Sequence, residues 1–152
     1  MPVLETINFG PIAFEQESVL EFPRGLPGFE ECRRFVLVQI PQTTPLVFLQ
    51  SLEQASLCFT TMPVQSVDPD YHLRVIPEDL ALVDLPAERQ PRIGHDVLCL
   101  AVLAVRESGP TANLLAPLVV NLANRKGVQA VAPESDYSHR HALLPEEAAV
   151  CS

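Results

Sequence analysis

Apolar residues in this chain fall into short runs, each closed by proline, glycine or a polar turn, and that spacing predicts strands rather than long helices. Val3 to Phe9 reads as a strand, Gly10-Pro11 as a turn into Ile12-Ala13-Phe14, and Val19 to Phe22 as a further strand after an acidic turn from Glu15 to Ser18. Phe35 to Val38, Leu46 to Leu49 and Leu57 to Met62 predict three more strands, close enough together to form a sheet. Val64 to Asp70 reads as loop and Tyr71 to Ile76 as extended chain. Pro77 to Leu82 is the one segment predicted to be helical, because proline suits a first helical position and Glu78 and Asp79 suit a first turn. The polar, turn-rich stretch from Leu85 to Gly94 predicts an exposed loop.

The longest apolar run, Val97 to Val105, is apolar on both faces if extended, and its valines and flanking turn signals predict a central, buried strand. The stretch from Asn113 to Asn121 follows, two apolar segments joined at Ala116-Pro117. Proline gives no N–H to a ladder, so a strand pair here must break, bulge or reach an edge. Asn113 and Asn121 could satisfy the backbone groups that such a break exposes, or with Pro117 could shape a surface for a partner. Asn124 to Gly127 reads as a hairpin turn into Val128 to Val131, with Gly127 as the left-handed residue. About ten short strands and one short helix predict a mainly β, small antiparallel β-barrel-like fold. The expected layout is a single domain over residues 1–144 with a flexible tail over 145–152.

A second stretch is encoded with unusual care. In Pro23-Arg24-Gly25-Leu26-Pro27-Gly28-Phe29-Glu30, two prolines fix φ and two glycines permit positive φ, which specifies a compact double turn. Leu26 and Phe29 can then point to the core. Read as structure, the turn is a rigid corner; read as function, it presents Arg24 and Glu30 as exposed contacts.

Composition sharpens this picture. The 152 residues suffice for one core that buries roughly 70% of the unfolded surface, and 15 prolines against 6 glycines argue against a helical bundle. Nineteen acidic residues against ten basic ones give a net charge of −9, which disfavours direct contact with phosphate backbones or anionic membranes. Glu5, Glu15, Glu17, Glu21, Glu30 and Glu31 face only Arg24 before Arg33, so the N-terminal part is either a solvated acidic face or a dock for a basic protein. Cys32, Cys58, Cys99 and Cys151 never form a Cys-x-x-Cys pair, and no apolar run is long enough to span a bilayer. A soluble cytoplasmic protein with reduced thiols is expected.

Candidate chemistry is sparse. The chain has no nucleophile elbow, phosphate loop, dinucleotide fingerprint or zinc spacing, so no cofactor is implied. His139 and His141 are spaced to share one face of a strand, which keeps open the alternative of a small β-barrel enzyme or metal-binding protein. His72 and His95 stand alone.

The segments Phe22 to Glu30, Phe48 to Ser51, Pro69-Asp70-Tyr71, Asn113 to Asn121, Gly127-Val128-Gln129 and Asp136-Tyr137 together resemble the flagellar assembly factor FliW family, in order and over nearly the whole chain. The resemblance implies a non-catalytic cytoplasmic protein, monomeric when free, that binds the translational repressor CsrA and the filament protein flagellin. In that family FliW relieves the repression of flagellin translation by CsrA, a small basic RNA-binding dimer, until free flagellin captures it. The absence of tryptophan, the polar stretch from Leu85 to Gly94 and the C-terminal tail depart from the family pattern. Candidate partner contacts are Arg24, Gly25, Leu26, Pro27, Gly28, Phe29, Glu30, Asn113, Pro117 and Asn121.

Overall fold

The computed structural model describes residues 2–107, 109–131 and 135–143. Among these, β1 (Val3–Thr6) and β2 (Gly10–Ala13) form a hairpin apart from the main sheet. The main sheet contains β3 (Leu20–Glu21), β4 (Arg34–Val38), β5 (Val47–Ser51), β6 (Cys58–Pro63), β7 (Val97–Arg106), β8 (Gly109–Ala112), β9 (Leu118–Asn121), β10 (Gly127–Gln129) and β11 (His141–Ala142). Its strands run in the order β10-β9-β7-β6-β5-β4-β3, while β8 joins β7 and carries β11 on its other side. All these pairings are antiparallel. The two ends of the sheet meet at one parallel bridge, Glu21 to Lys126, where the Glu21 N–H donates to the Arg125 carbonyl at 3.0 Å. The sheet is therefore curled and barrel-like, without a full ladder closing it.

The long strand β7 divides the core as its two apolar faces predict. Val97, Cys99 and Ala101 pack with Val64, Val75, Leu80 and Val83 on the outer face. Leu98, Leu100 and Val102 meet Phe22, Phe35, Leu49, Leu118 and Val120 on the inner face. Side chains of this size contribute about 1.5–3 kcal/mol each when fully buried, so both faces are stabilising. Burial also pushes the Cys99 thiol up to about 12, which leaves it a core residue rather than a nucleophile.

Two helices cover the outer face: α1 (Val64–Val67) and α2 (Pro77–Leu82). The first corrects the expectation of a loop from Val64 to Asp70. Valines are modest helix formers, but Val64 is wholly buried and Val67 packs on the outer cluster, so tertiary burial overrides propensity. The second matches the predicted segment and ends in a Schellman motif. There Asp84 takes φ 61°, its N–H reaches the Ala81 carbonyl at 3.2 Å, and the Leu85 N–H reaches Leu80 at 2.9 Å.

The proline break is a bulge. Strands β8 and β9 pair with the same edge of β7, Ala112 opposite Leu103 and Leu118 opposite Leu100, so residues 113–117 stand against only 101–102. The turn before β10 corrects another expectation. Arg125, at φ 62°, is the left-handed residue. Gly127 is needed for space instead: a Cβ there would lie 2.7 Å from the Phe22 ring. Residues 145–152, expected as a flexible tail, lie outside the described residues, as does Cys151.

Candidate partner-binding surface

The corner from Pro23 to Glu30 is built almost entirely by its own backbone. The Gly25 N–H donates to the Phe22 carbonyl at 2.8 Å, the Phe29 N–H to Leu26 at 2.7 Å and the Cys32 N–H to Phe29 at 3.0 Å. Gly25 and Gly28 take φ 64° and 86°, and a Cβ on Gly25 would stand 2.6 Å from the Glu30 backbone. Proline at the second position of Leu26-Pro27-Gly28-Phe29 and positive φ at the third is the signature of a type II turn. Leu26 is buried, whereas Phe29 keeps 37% exposure and sets its ring edge-on to Phe59 at 5.6 Å. The Glu30 carboxylate accepts the Gly28 N–H at 2.9 Å, and that bond holds its carboxyl below the usual range, so it is charged at neutral pH. Arg24, Pro27, Phe29 and Glu30 thus form an exposed platform of mixed chemistry on a stiff backbone.

Beneath the platform lies Asp79, 6% exposed and on α2, with Arg24 the cation beside it at 4.0 Å. Burial raises the affinity of this carboxyl for a proton, partly opposed by Arg24. Sequence reasoning missed this pair, because the two residues are far apart in the chain and nothing in either segment marks the other.

The second group of candidates lies in the interior. Pro117 and Asn121 are buried and Asn113 half-buried. Asn113 Oδ1 accepts the Ala116 N–H at 2.9 Å within the bulge. Asn121 Nδ2 donates to the Val83 carbonyl at 2.7 Å and its Oδ1 accepts the Ala123 N–H at 2.9 Å. Four further bulge groups are bonded as well: Leu114 N–H to the Ser138 carbonyl, Leu114 carbonyl from the Tyr71 hydroxyl, Ala116 carbonyl from Gln129 Nε2 and Pro117 carbonyl from the Ala130 N–H. These residues serve the fold. Corner and bulge are not hydrogen-bonded to each other among the described residues; α2 stands between them, touching Arg24 through Asp79 and Asn121 through the Val83 carbonyl that follows it.

The histidine pair does not form as expected. β11 contains His141 but not His139, because only residues 141 and 142 pair with β8, and both histidines are exposed. Among the described residues no three His, Cys, Asp or Glu side chains gather at metal-binding distance. A groove of about 460 Å³, also missed from sequence, runs between α1 and β11 and is lined by Met62, Val67, Leu103, Val105 and Leu143. Its residues come from segments far apart in the chain, and Val105, 88% exposed, departs from the burial its run predicted. No helix among the described residues is long and apolar enough to cross a membrane.

A curled antiparallel sheet with short outer helices and a stiff, exposed corner defines a small mainly β protein. The family model described as FliW protein matches residues 3–143, and the chain belongs to the FliW family of flagellar assembly factors. It is 36% identical over 143 residues to the flagellar assembly factor FliW of Thermotoga maritima, covering 92% of this chain and 91% of the relative. The FliW of Natranaerobius thermophilus is 32% identical over 143 residues, with 92% and 91% covered. A crystal structure of the flagellar assembly factor FliW superposes with a TM-score of 0.82 at 30% identity, over 96% of this chain and 99% of that one.

Proposed function

We propose that this flagellar assembly factor works in the cytoplasm by binding alone, taking CsrA and flagellin as alternative partners and so freeing flagellin message from repression when flagellin is scarce. The observation that carries the reading is the charge of −9 on a family member whose exposed corner is preorganised by its own backbone. An acidic protein docked beside a basic RNA-binding surface repels incoming RNA over roughly 8 Å at physiological salt, even where it leaves RNA contacts uncovered. A stiff corner loses little conformational entropy on docking.

Size-exclusion chromatography of the purified chain with CsrA and with flagellin, separately and together, tests the reading. A complex with each, and loss of the CsrA complex as flagellin is added, is the expected result; no complex with either overturns it. Relief of RNA binding should also weaken as salt rises, and an effect equal at low and high ionic strength removes the electrostatic part.

A further inference from the structure

The turn at Gln16–Ser18 leaves β4 partly unpaired. β3 covers only Arg34 and Phe35, whereas β5 accompanies β4 as far as Val38. Successive residues of a strand direct their backbone groups to opposite neighbours. The Arg33 carbonyl accepts Phe22 N–H on the β3 side at 2.7 Å, and the Arg34 carbonyl accepts Leu52 N–H on the β5 side at 2.9 Å. By that alternation the N–H and C=O of Leu37 face the side that β3 has left.

Beside this edge is a cleft of about 230 Å³ lined by Ile12, Phe14, Glu15, Ser18, Val36 and Leu37. Its lining sets the apolar side chains of Ile12, Phe14, Val36 and Leu37 beside the polar Glu15 and Ser18, and its surroundings are acidic. Glu15 lines it, Glu17 is exposed in the same turn, and Glu21 is exposed on β3. Arg24 is the one base in the first 31 residues, and it lies against Asp79.

We propose that this cleft is a strand-docking site for an extended segment of a partner protein in which apolar and basic side chains alternate, added to β4 beside Leu37. The proposal rests on the reading that a basic protein docks on this chain, and it adds to the corner a second place of contact. An added strand bonds to the open backbone edge while alternate side chains point one way and the other. One set enters the cleft against Ile12 and Phe14, and the other meets Glu15, Glu17 and Glu21. An acidic segment of the same shape meets like charge at each of these positions, so the edge selects by sign as well as by shape.

The probe is a labelled octapeptide of alternating valine and lysine, titrated into the full chain and followed by fluorescence anisotropy. Companion peptides carry glutamate for lysine, or backbone N-methyl groups on alternate residues in either register. The lysine peptide is expected to bind at least tenfold more tightly than the glutamate peptide. N-methylation in one register should cost at least tenfold. The Leu37 amide should exchange at least tenfold more slowly in the complex. Glu15→Lys with Glu17→Lys, both on exposed side chains, should weaken binding at least tenfold with no change in melting temperature. No binding of the lysine peptide, binding indifferent to N-methylation in both registers, or binding indifferent to the charge reversal overturns the site. Complex formation with CsrA separates the failures: a chain that binds CsrA but not the peptide loses only the site, and a chain that binds neither loses the functional reading too.

Discussion

Asn121→Ala tests whether the asparagine that ends β9 holds the outer layer in place. Its Nδ2 donates at 2.7 Å to the carbonyl of Val83, a wholly buried residue, and the other donor near that carbonyl is Asn124 Nδ2 at 3.4 Å, at the long limit of a hydrogen bond. Leaving a buried carbonyl unpaired costs about 1–3 kcal/mol. The Ala123 N–H loses its acceptor too, but Ala123 is exposed and water can replace it, so this adds well under about 1 kcal/mol. A loss of roughly 2–3 kcal/mol follows, and at roughly 2–4 °C per kcal/mol for a chain of this size the midpoint should fall by about 5–10 °C. Urea denaturation followed by far-ultraviolet circular dichroism measures it, with the slope unchanged because the exposed surface is the same. Asn121→Asp should cost more, since it sets a carboxylate oxygen against the Val83 carbonyl, whereas Asn124→Ala should cost little. A loss below about 0.5 kcal/mol for Asn121→Ala would show that water or Asn124 takes over, and the reasoning fails.

The remaining substitutions probe spacing and charge. Gly127→Ala places a Cβ against the Phe22 ring and should cost about 1–3 kcal/mol, with partial recovery on adding Phe22→Leu; additive losses in the double-mutant cycle would rule out the clash. Gly25→Ala meets backbone rather than a side chain, at positive φ, so it should cost more than about 2 kcal/mol with no rescue from a neighbouring side chain. Asp79 has its proton affinity raised by burial, so its ionised form opposes folding: stability from this group is full below the unfolded value near 3.8 and is lost as pH rises through the higher folded value. Asp79→Asn should therefore stabilise the chain at pH 7, on the order of 1 kcal/mol, because the contact it gives up is to Arg24, whose side chain is 64% exposed and which lies 4.0 Å away. That advantage should vanish in melts below about pH 3.8, and a variant less stable at pH 7 would mean that the ion pair outweighs the burial.

Much of the sheet was legible because its signals are local. The corner shows the same directness: its prolines and glycines specify φ residue by residue, and the turns form accordingly. Val97 to Val105 read as a strand buried on both faces, and Val97 to Leu100 and Val102 divide between two clusters accordingly. Where burial decides, the pattern misled. Val64 to Val67 read as loop because four residues hold too little periodicity to mark a helix, and only the outer cluster stabilises it. Gly127 read as a conformational glycine, but its reason lies in a phenylalanine far away in sequence. The candidate contacts divide in the same way: the corner's local geometry exposes Arg24, Phe29 and Glu30, while Pro117 and Asn121 are buried by partners that sequence alone does not pair with them.

The bulge at residues 113–117 is held by distant groups, and Tyr71→Phe tests how far that hold extends. The Tyr71 hydroxyl donates to the Leu114 carbonyl at 2.6 Å, and burial keeps the phenol protonated at any ordinary pH. Its ring stacks on Tyr137 at 4.3 Å, and the Tyr137 hydroxyl accepts the His72 N–H at 2.8 Å. Phenylalanine preserves the stack and removes one bond to a carbonyl on a residue that is 1% exposed. The loss should be about 1–3 kcal/mol. It should also reach the C-terminal segment, because the same Leu114 donates its N–H to the Ser138 carbonyl, and residues 141 and 142 pair with β8 just before the bulge. The bonded carbonyl and N–H of Leu114 sit on adjacent peptides that share its Cα, so a backbone that shifts to find the carbonyl a new donor also strains the Ser138 bond, and the Leu114 and Leu143 amides should exchange faster than those of β4, which is remote from the change. If stability falls but these two amides keep their protection relative to β4, the bulge does not couple the segments and Tyr71 acts only as a local partner for one carbonyl.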